Sequence, residues 1–289
     1  MERRRGRHWT LKIFHDLINV KKRLLFGFIA VLVLAIVFAK SCRSLSTVVK
    51  AVEFRYTEIP VLSHIENTIF ITHYLPEQDR RNVRNYSILY DTIQKLSYWV
   101  AYPLHEKYLG NSGRSEAWNY DPLVAQHLQP RVHRGITGFD RGHQLPSADR
   151  TYSRTGNATT FYFTNMTAQN ASLNRGVWET LERNVRTWVA RCDTLYVVTG
   201  AMLGNEIKYA VDNDGSSMAV PNYYYKAIAQ KRGVNYFTIA YKFENVAPVN
   251  RNIDAYQMTV KELEEKTGFI FFPTLPKDAK NTVVEEYWR

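Results

Sequence analysis

The sequence predicts an α+β fold in which one amphipathic helix packs beside a central antiparallel sheet. Two observations carry this prediction. Short segments rich in valine, isoleucine and tyrosine recur along the chain, as is typical of strands. One longer segment instead repeats its apolar residues every four positions, as a helix with one buried face does. The strand candidates are residues 86–90, 98–102, 195–199, 223–229 and 236–241.

The predicted helix begins near Asn174 and continues beyond Glu182. Asn174, Trp178 and Glu182 recur at helical spacing, so an amide and a carboxylate two turns apart lie on roughly one face. Taken alone, Asn174 also suits a helix N-cap, and Glu182 an ordinary solvated position. A shorter helix is predicted over residues 259–267, where Gly268 ends it. The apolar stripe of the first helix consists of Val177, Leu181, Val185 and Val189.

Four consecutive residues before the helix, Asp140-Arg141-Gly142-His143, combine the groups that phosphodiester hydrolysis needs. Histidine titrates near neutral pH and can accept a proton from water. Arginine binds phosphate oxygens in a planar, charge-assisted geometry. We predict a loop here, with Gly142 allowing the backbone to bend. The alternative is a structural turn with a surface ion pair.

Together, the Asp-Arg-Gly-His segment and Asn174-x-Gly-x-Trp-x-x-Leu-Glu182 resemble the DNA/RNA non-specific endonuclease family, whose members have a ββα-metal active site. The resemblance extends from about Ile59 to the C-terminus. It implies a ββα-metal nuclease fold in which His143 is the general base. Asn174 would be the direct protein ligand of a Mg²⁺ ion, for which Mn²⁺ is a substitute. Glu182 would hold metal-bound water.

The same resemblance implies roles for four further residues. Arg114 and Arg141 would bind and stabilise the reacting phosphate. Asp140 would orient the loop, and Asn165 would join the network on the substrate side. Spacing near Arg114 leaves Glu116 as an alternative occupant of that place. Ala168 stands where the family usually has proline, which affects neither the base nor the metal ligand.

The function expected from this resemblance is Mg²⁺-dependent hydrolysis of DNA and RNA without sequence specificity, giving 5′-phosphate products. A catalytically inactive nucleic-acid-binding module of the same fold is the alternative, and a structural envelope protein is a third class. We expect no small-molecule cofactor. The sequence does not decide whether the protein forms a homodimer.

Cys42 and Cys192 are far apart and form no Cys-x-x-Cys pair, which argues against structural zinc and predicts no disulfide.

The chain carries a net charge of +11, which alone would suggest a nucleic-acid partner. Ten of the 38 Lys and Arg residues, but only two of the 27 acidic ones, fall within residues 1–43. That segment therefore carries +8 and residues 44–289 only +3. Near the motif, however, arginines outnumber acids, which favours a local phosphate-binding patch. The arginines of this predicted patch are Arg131, Arg134, Arg141, Arg150 and Arg154.

The N-terminal charge excess flanks an apolar run at residues 24–39, which we interpret as a transmembrane signal anchor. Residues 1–23 would be a basic cytoplasmic segment, 40–58 a connector and 59–289 the nuclease domain. Because more positive charge precedes the run, the positive-inside rule puts the nuclease domain in the periplasm or outside the cell. A cleaved signal peptide and a mitochondrial inner-membrane location are the alternatives.

Overall fold

The computed structural model describes residues 56–61, 65–75, 83–212 and 215–289. The predicted basic segment (1–23) and membrane anchor (24–39) lie outside these residues, as does the connector up to residue 55. No helix of the described ranges is long and apolar enough to cross a membrane.

A seven-stranded sheet, antiparallel throughout, forms the centre of the nuclease domain. Its strands are β1 (Thr68–Tyr74), β2 (Arg84–Asp91), β3 (Leu96–Leu104), β6 (Thr194–Met202), β9 (Tyr223–Arg232), β10 (Asn235–Glu244) and β11 (Gln257–Met258). Their spatial order is β1-β2-β3-β6-β9-β10-β11. All five predicted strands lie within these elements, which confirms the prediction of a central antiparallel sheet. Every residue of β2 is buried, so this strand is covered on both faces.

Two small hairpins stand apart from the main sheet. One pairs β4 (Asp140–His143) with β5 (Met166–Gln169), and the other pairs β7 (Lys208–Val211) with β8 (Ser217–Val220).

The prediction of a loop at the Asp-Arg-Gly-His motif is therefore wrong, because these residues form a strand. Gly142 does not provide a bend. A Cβ atom there would lie 2.6 Å from Cβ of Gln169, so glycine is needed for the close approach of β5.

The helices are α1 (Arg154–Ala158), α2 (Ala171–Leu173), α3 (Glu179–Val189) and α4 (Val260–Thr267). A π-helical segment, Asn174–Trp178, joins α2 to α3. The start of this helical run is capped by Asn170, whose side chain accepts hydrogen bonds from the amides of Ser172 and Leu173, so Asn174 is not the cap. The second predicted helix is confirmed as α4, with a capping box at its start and Gly268 at φ 74° after its end.

Helix α3 packs its predicted apolar stripe into the main core. The four stripe residues are each at most 4% exposed. Trp178, which is 1% exposed, lies with its ring 5.5 Å from that of Tyr224 on β9 and 5.7 Å from that of Phe243 on β10. Each buried side chain of this size contributes about 1.5–3 kcal/mol. This packing fixes the helix, and hence the π segment before it, against the sheet.

The π segment departs from helical geometry at Gly176, where φ is −111° and ψ is −113°. Single π turns inside helices are frequent at functional sites because they redirect side chains. Because of the kink at Gly176, the residues before and after it contact different parts of the domain. Asn174, before Gly176, contacts β4, whereas Trp178, after it, packs on the main sheet.

Replacing Gly142 with alanine should lower the free energy of unfolding by about 1–3 kcal/mol, because the new methyl group overlaps the side chain of Gln169. Urea denaturation measures this loss. The double variant Gly142→Ala/Gln169→Gly should recover part of it, since it removes the overlapping atoms. A Gly142→Ala chain as stable as the unmodified protein would contradict the close-approach explanation.

Candidate active site

The β4–β5 hairpin and the helical run after it place most of the predicted residues around one cavity. In the hairpin, Asp140 pairs with Gln169 and His143 with Met166. Because side chains alternate along a strand, Arg141 and His143 point to one face of β4 and Asp140 to the other. The cavity has a volume of about 410 Å³. Its lining includes Arg114, Trp118, Arg134, Asp140, Arg141 and Asn174.

His143 is enclosed by aromatic rings at the edge of this cavity. Its ring centroid lies 5.5 Å from that of Trp118 and 5.0 Å from that of Phe161. Its Nε2 atom is buried and has no hydrogen-bond partner within the described part of the chain. The imidazole forms its hydrogen bond with the main chain of Arg141, which by elimination uses Nδ1. Nε2 is thus the nitrogen available to accept a proton.

Burial, followed by the charges of Arg114 and Arg141, lowers the pKa of His143 to about 3. The hydrogen bond with the main chain of Arg141 opposes this effect and is smaller. A lowered pKa favours the neutral imidazole. At neutral pH the side chain is therefore unprotonated, as a general base must be.

Arg114 lines the cavity, and its charge acts on His143. Its guanidinium is 4.9 Å from the ring centroid of Phe161 and donates a hydrogen bond of 3.1 Å from Nη1 to Oγ of Ser147. Glu116, the alternative at this place, accepts hydrogen bonds from Nε of Arg114 and from Nε1 of Trp118. Glu116 therefore fixes the side chains of both Arg114 and Trp118. Glu116 adopts a φ of 53°, a strained left-handed conformation for a residue other than glycine.

Arg141 is held from two sides. Nη1 donates to the carbonyl oxygens of Val132, at 3.1 Å, and His133, at 2.7 Å. The guanidinium also stacks 3.5 Å from the ring centroid of Trp118. These contacts fix its plane beside the cavity and leave its remaining N–H groups for a phosphate.

The Asp140 carboxylate joins β4 to the π segment. Oδ2 accepts hydrogen bonds from Nδ2 of Asn174, at 2.9 Å, and from Nε of Arg175, at 2.8 Å, while Oδ1 accepts from Nη2 of Arg175 at 2.6 Å. Burial would raise the pKa of Asp140, but these hydrogen bonds outweigh it and hold the pKa below its usual value. Because a carboxylate attracts the amide nitrogen, the amide oxygen of Asn174 is turned away from Asp140.

Glu182 is not part of the cavity lining. It belongs to a set of buried charges between α3, β9 and the turn at Ser147–Arg150. Burial raises the pKa of Glu182, and the charge of Lys226 opposes that rise. Lys226 is fully buried on β9, where its ammonium donates to Oγ1 of Thr199 and lies 5.0 Å from the ring centroid of Trp178. Asp149 and Arg186 complete the set through a 3.1 Å ion pair.

Asn165 has a different place from the substrate-side position that we predicted. It is fully buried, and its amide nitrogen donates to the carbonyl oxygens of Leu145, at 2.9 Å, and Thr160, at 2.7 Å. Its amide oxygen accepts from the backbone of Leu145 at 2.9 Å. Asn165 thus braces the chain that follows His143. The sequence could not distinguish this role, because both partners are main-chain atoms.

The predicted arginine patch is only partly present. Arg150 is fully buried, where it donates to Oδ1 and the carbonyl oxygen of Asn85 and to the carbonyl oxygen of Pro103. It therefore braces the interior and does not face a phosphate. Arg134 and Arg141 do line the cavity.

Three important side chains were missed by the sequence reasoning. Trp118 and Phe161 enclose His143, and Lys226 opposes the burial of Glu182. The signal for Lys226 was its position within an otherwise apolar strand, since a lysine there is almost never buried without a charged partner. The two aromatic residues gave no distinctive local pattern.

Comparisons with known proteins show the family of this chain. The DNA/RNA non-specific endonuclease family model matches residues 66–278. A nuclease of Nostoc sp. is 31% identical over 205 residues, covering 68% of this chain and 74% of the relative. A nuclease of Serratia marcescens is 29% identical over 204 residues, covering 68% and 75%.

Among solved structures, a chain from the EndoG/EndoGI complex, studied for the mechanism of EndoG inhibition, matches with a TM-score of 0.58. It is 24% identical, and the match covers 69% of this chain and 87% of that one, so it supports the fold. The family model spans most of the chain, and the two nucleases match across most of their own length. The chain therefore belongs to the DNA/RNA non-specific endonuclease family and is an endonuclease.

Proposed function

We propose that this endonuclease hydrolyses DNA and RNA with His143 as the general base and a divalent metal ion, Mg²⁺, held by Asn174. The observation that carries the proposal is a neutral imidazole, whose Nε2 atom is buried, beside a cavity that two arginines and an oriented amide line. A nucleic-acid strand would place its phosphate between Arg114 and Arg141.

The residues around Asn174 fit Mg²⁺ better than zinc. The amide oxygen of Asn174 has no hydrogen-bond partner within the described ranges, and Asp140 turns it away from β4. No group of three or more His, Cys, Asp or Glu side chains arranged for a metal occurs in these ranges. Magnesium keeps most of its waters and takes few protein oxygens. A bound Mg²⁺ would stabilise negative charge on the phosphate and the leaving oxygen. Mn²⁺ also binds oxygen ligands and would serve as a substitute.

In the proposed reaction, Nε2 of His143 takes a proton from a water molecule, whose oxygen attacks phosphorus. The bond from phosphorus to the 3′ oxygen breaks, and the departing oxygen takes a proton from solvent water to become a 3′-hydroxyl. The phosphate stays on the 5′ oxygen of the downstream nucleotide as a 5′-phosphate. Arg114 and Arg141 stabilise the added negative charge. Because water is the nucleophile, the ribose 2′-hydroxyl takes no part, and DNA and RNA serve alike.

Phosphate binding would also strengthen the base. The charges of Arg114 and Arg141 contribute to the low pKa of His143. A phosphate between the two guanidinium groups would offset those charges and raise the pKa toward its ordinary value. His143 would then become a better proton acceptor only when substrate is in place.

Glu182 would help to hold metal-bound water, as the family resemblance implies, and Lys226 would keep it ionised. A carboxylate buried in this way is otherwise driven toward its neutral form. The ammonium of Lys226 acts against that tendency, and the two are part of one buried set with Asp149 and Arg186.

We also propose that residues 24–39 anchor the enzyme in a membrane, with the nuclease domain outside the cytoplasm. The uninterrupted apolar run and the excess of positive charge before it support this. In cells whose outer membrane, where they have one, has been made permeable, added protease should then digest the nuclease domain but spare an N-terminal tag. A protected nuclease domain would contradict the topology.

His143→Ala should lower kcat on plasmid DNA and on RNA by about 10²- to 10⁴-fold, because the general base is lost. EDTA should abolish cleavage by the unmodified chain, and Mg²⁺ should restore it. His127→Ala, which changes an exposed histidine in the turn at Gln126–Leu128, is the control and should retain full activity. Cleavage that survives His143→Ala or chelation would refute the mechanism.

Lys226→Met should move the acidic limb of the kcat profile to higher pH by about one unit, so that rates on this limb fall about tenfold. The sign follows from the charge: without the ammonium the pKa of Glu182 rises further, and more of the carboxyl is protonated at a given pH.

The control for this substitution is Lys280→Met, which removes a buried lysine that binds Glu264 at 2.6 Å outside the site. It should reduce stability without moving the pH profile. If the Lys226→Met and unmodified profiles coincide, Lys226 does not govern the ionisation of Glu182.

A further inference from the structure

A second cavity, of about 470 Å³, lies along the exposed face of the helical run that carries Asn174. We propose that this groove binds the phosphates that neighbour the reacting one on the substrate strand. The inference rests on the proposed function and extends it from a single phosphodiester to a length of chain. The groove is lined by Arg175, Glu179, Thr180, Arg183, Pro248 and Arg251, among others.

The groove is cationic. The side chains of Arg175 and Arg183 are 73% and 55% exposed, and Arg251 is also exposed. Its one acidic lining residue, Glu179, pairs with Nη1 of Arg183 at 2.9 Å. Exposed pairs of this kind contribute little to stability, so a phosphate can replace the carboxylate. With Asp140, which pairs with Arg175, included, three guanidinium groups stand against two carboxylates, so the groove keeps a net positive charge.

The groove adjoins the candidate active site through Arg175. This residue follows Asn174 directly and binds Asp140, and both of these line the catalytic cavity. A strand whose phosphate lies at Asn174 therefore meets Arg175 next. Arginine is well suited to this contact because its planar fork matches phosphate oxygens.

The length of the groove matches a short run of nucleotides. Arg183 is seven positions after Gly176, which at about 1.5 Å per residue corresponds to about 10 Å. Nucleotides along a strand of a duplex are spaced by about 3.4 Å, so the groove accommodates roughly three. The opposite wall, at Ala247 and Pro248, carries no side-chain hydrogen-bonding group to read a base edge. The contacts would therefore be independent of sequence.

The test compares the full chain with the double variant Arg183→Gln/Arg251→Gln. Both side chains are exposed, and Arg175 is left intact because it also holds Asp140. The substrates are a single-stranded DNA of about 30 nucleotides and a dinucleotide with one phosphodiester bond. Binding of the longer DNA is also measured by fluorescence anisotropy, in a His143→Ala background that prevents cleavage.

For the longer DNA, the variant should show a raised KM and an unchanged kcat. The slope of log affinity against log salt should become shallower by roughly 1.4, because two phosphate contacts on a single strand are lost. The dinucleotide should be cleaved with unchanged kinetics, since it is too short to enter the groove.

A charge-matched control is Arg191→Gln/Lys261→Gln, which removes two exposed cations from the end of α3 and from α4. It should leave the salt slope unchanged. An unchanged slope in the groove variant, an equal loss in the control, or an equal loss on the dinucleotide would overturn the proposal. If no cleavage occurs in any chain but the binding slopes still differ, the groove is supported and the proposed reaction fails.

Discussion

The Asp140 carboxylate is the interaction on which the rest of the site depends. It accepts three hydrogen bonds, all from the two residues that open the π segment. The hairpin that carries His143 and the helix that carries Asn174 are separate elements, and this carboxylate joins them. It also determines which end of the Asn174 amide faces the cavity. The Asp140 side chain is 16% exposed, and these hydrogen bonds hold its pKa below the usual value, so the carboxyl stays ionised.

The charged and titratable side chains around this junction form two groups, one at the cavity and one beneath α3. At the cavity, burial and two arginines keep His143 neutral and receptive to a proton. Beneath α3, Lys226 and Arg186 oppose the acids Glu182 and Asp149, so two positive groups, one buried and one half-buried, face two acids, likewise one buried and one half-buried. Isolated charges in such positions would be costly.

Local patterns were sufficient to predict much of the fold. The strands and α3 follow from periodicity and β-branched or aromatic composition, and α4 from its capping residues. Contacts between distant residues were not predictable in this way. The bond from Asp140 to Asn174 joins residues 34 apart, and nothing near either one specifies it. Gly142 could not be explained from its local sequence either. A glycine is required there because a larger side chain would overlap Gln169 on the neighbouring strand, and not because of its own backbone conformation.

The central claim is that Asp140 orients Asn174 for a metal ion. Isothermal titration of Mn²⁺ into the unmodified chain and into Asp140→Asn tests it directly. An amide at position 140 lacks the charge that fixes Asn174, so we expect metal affinity to fall about 10- to 100-fold, with cleavage partly restored at high metal concentration. Equal affinity of the two chains for Mn²⁺ would contradict the account.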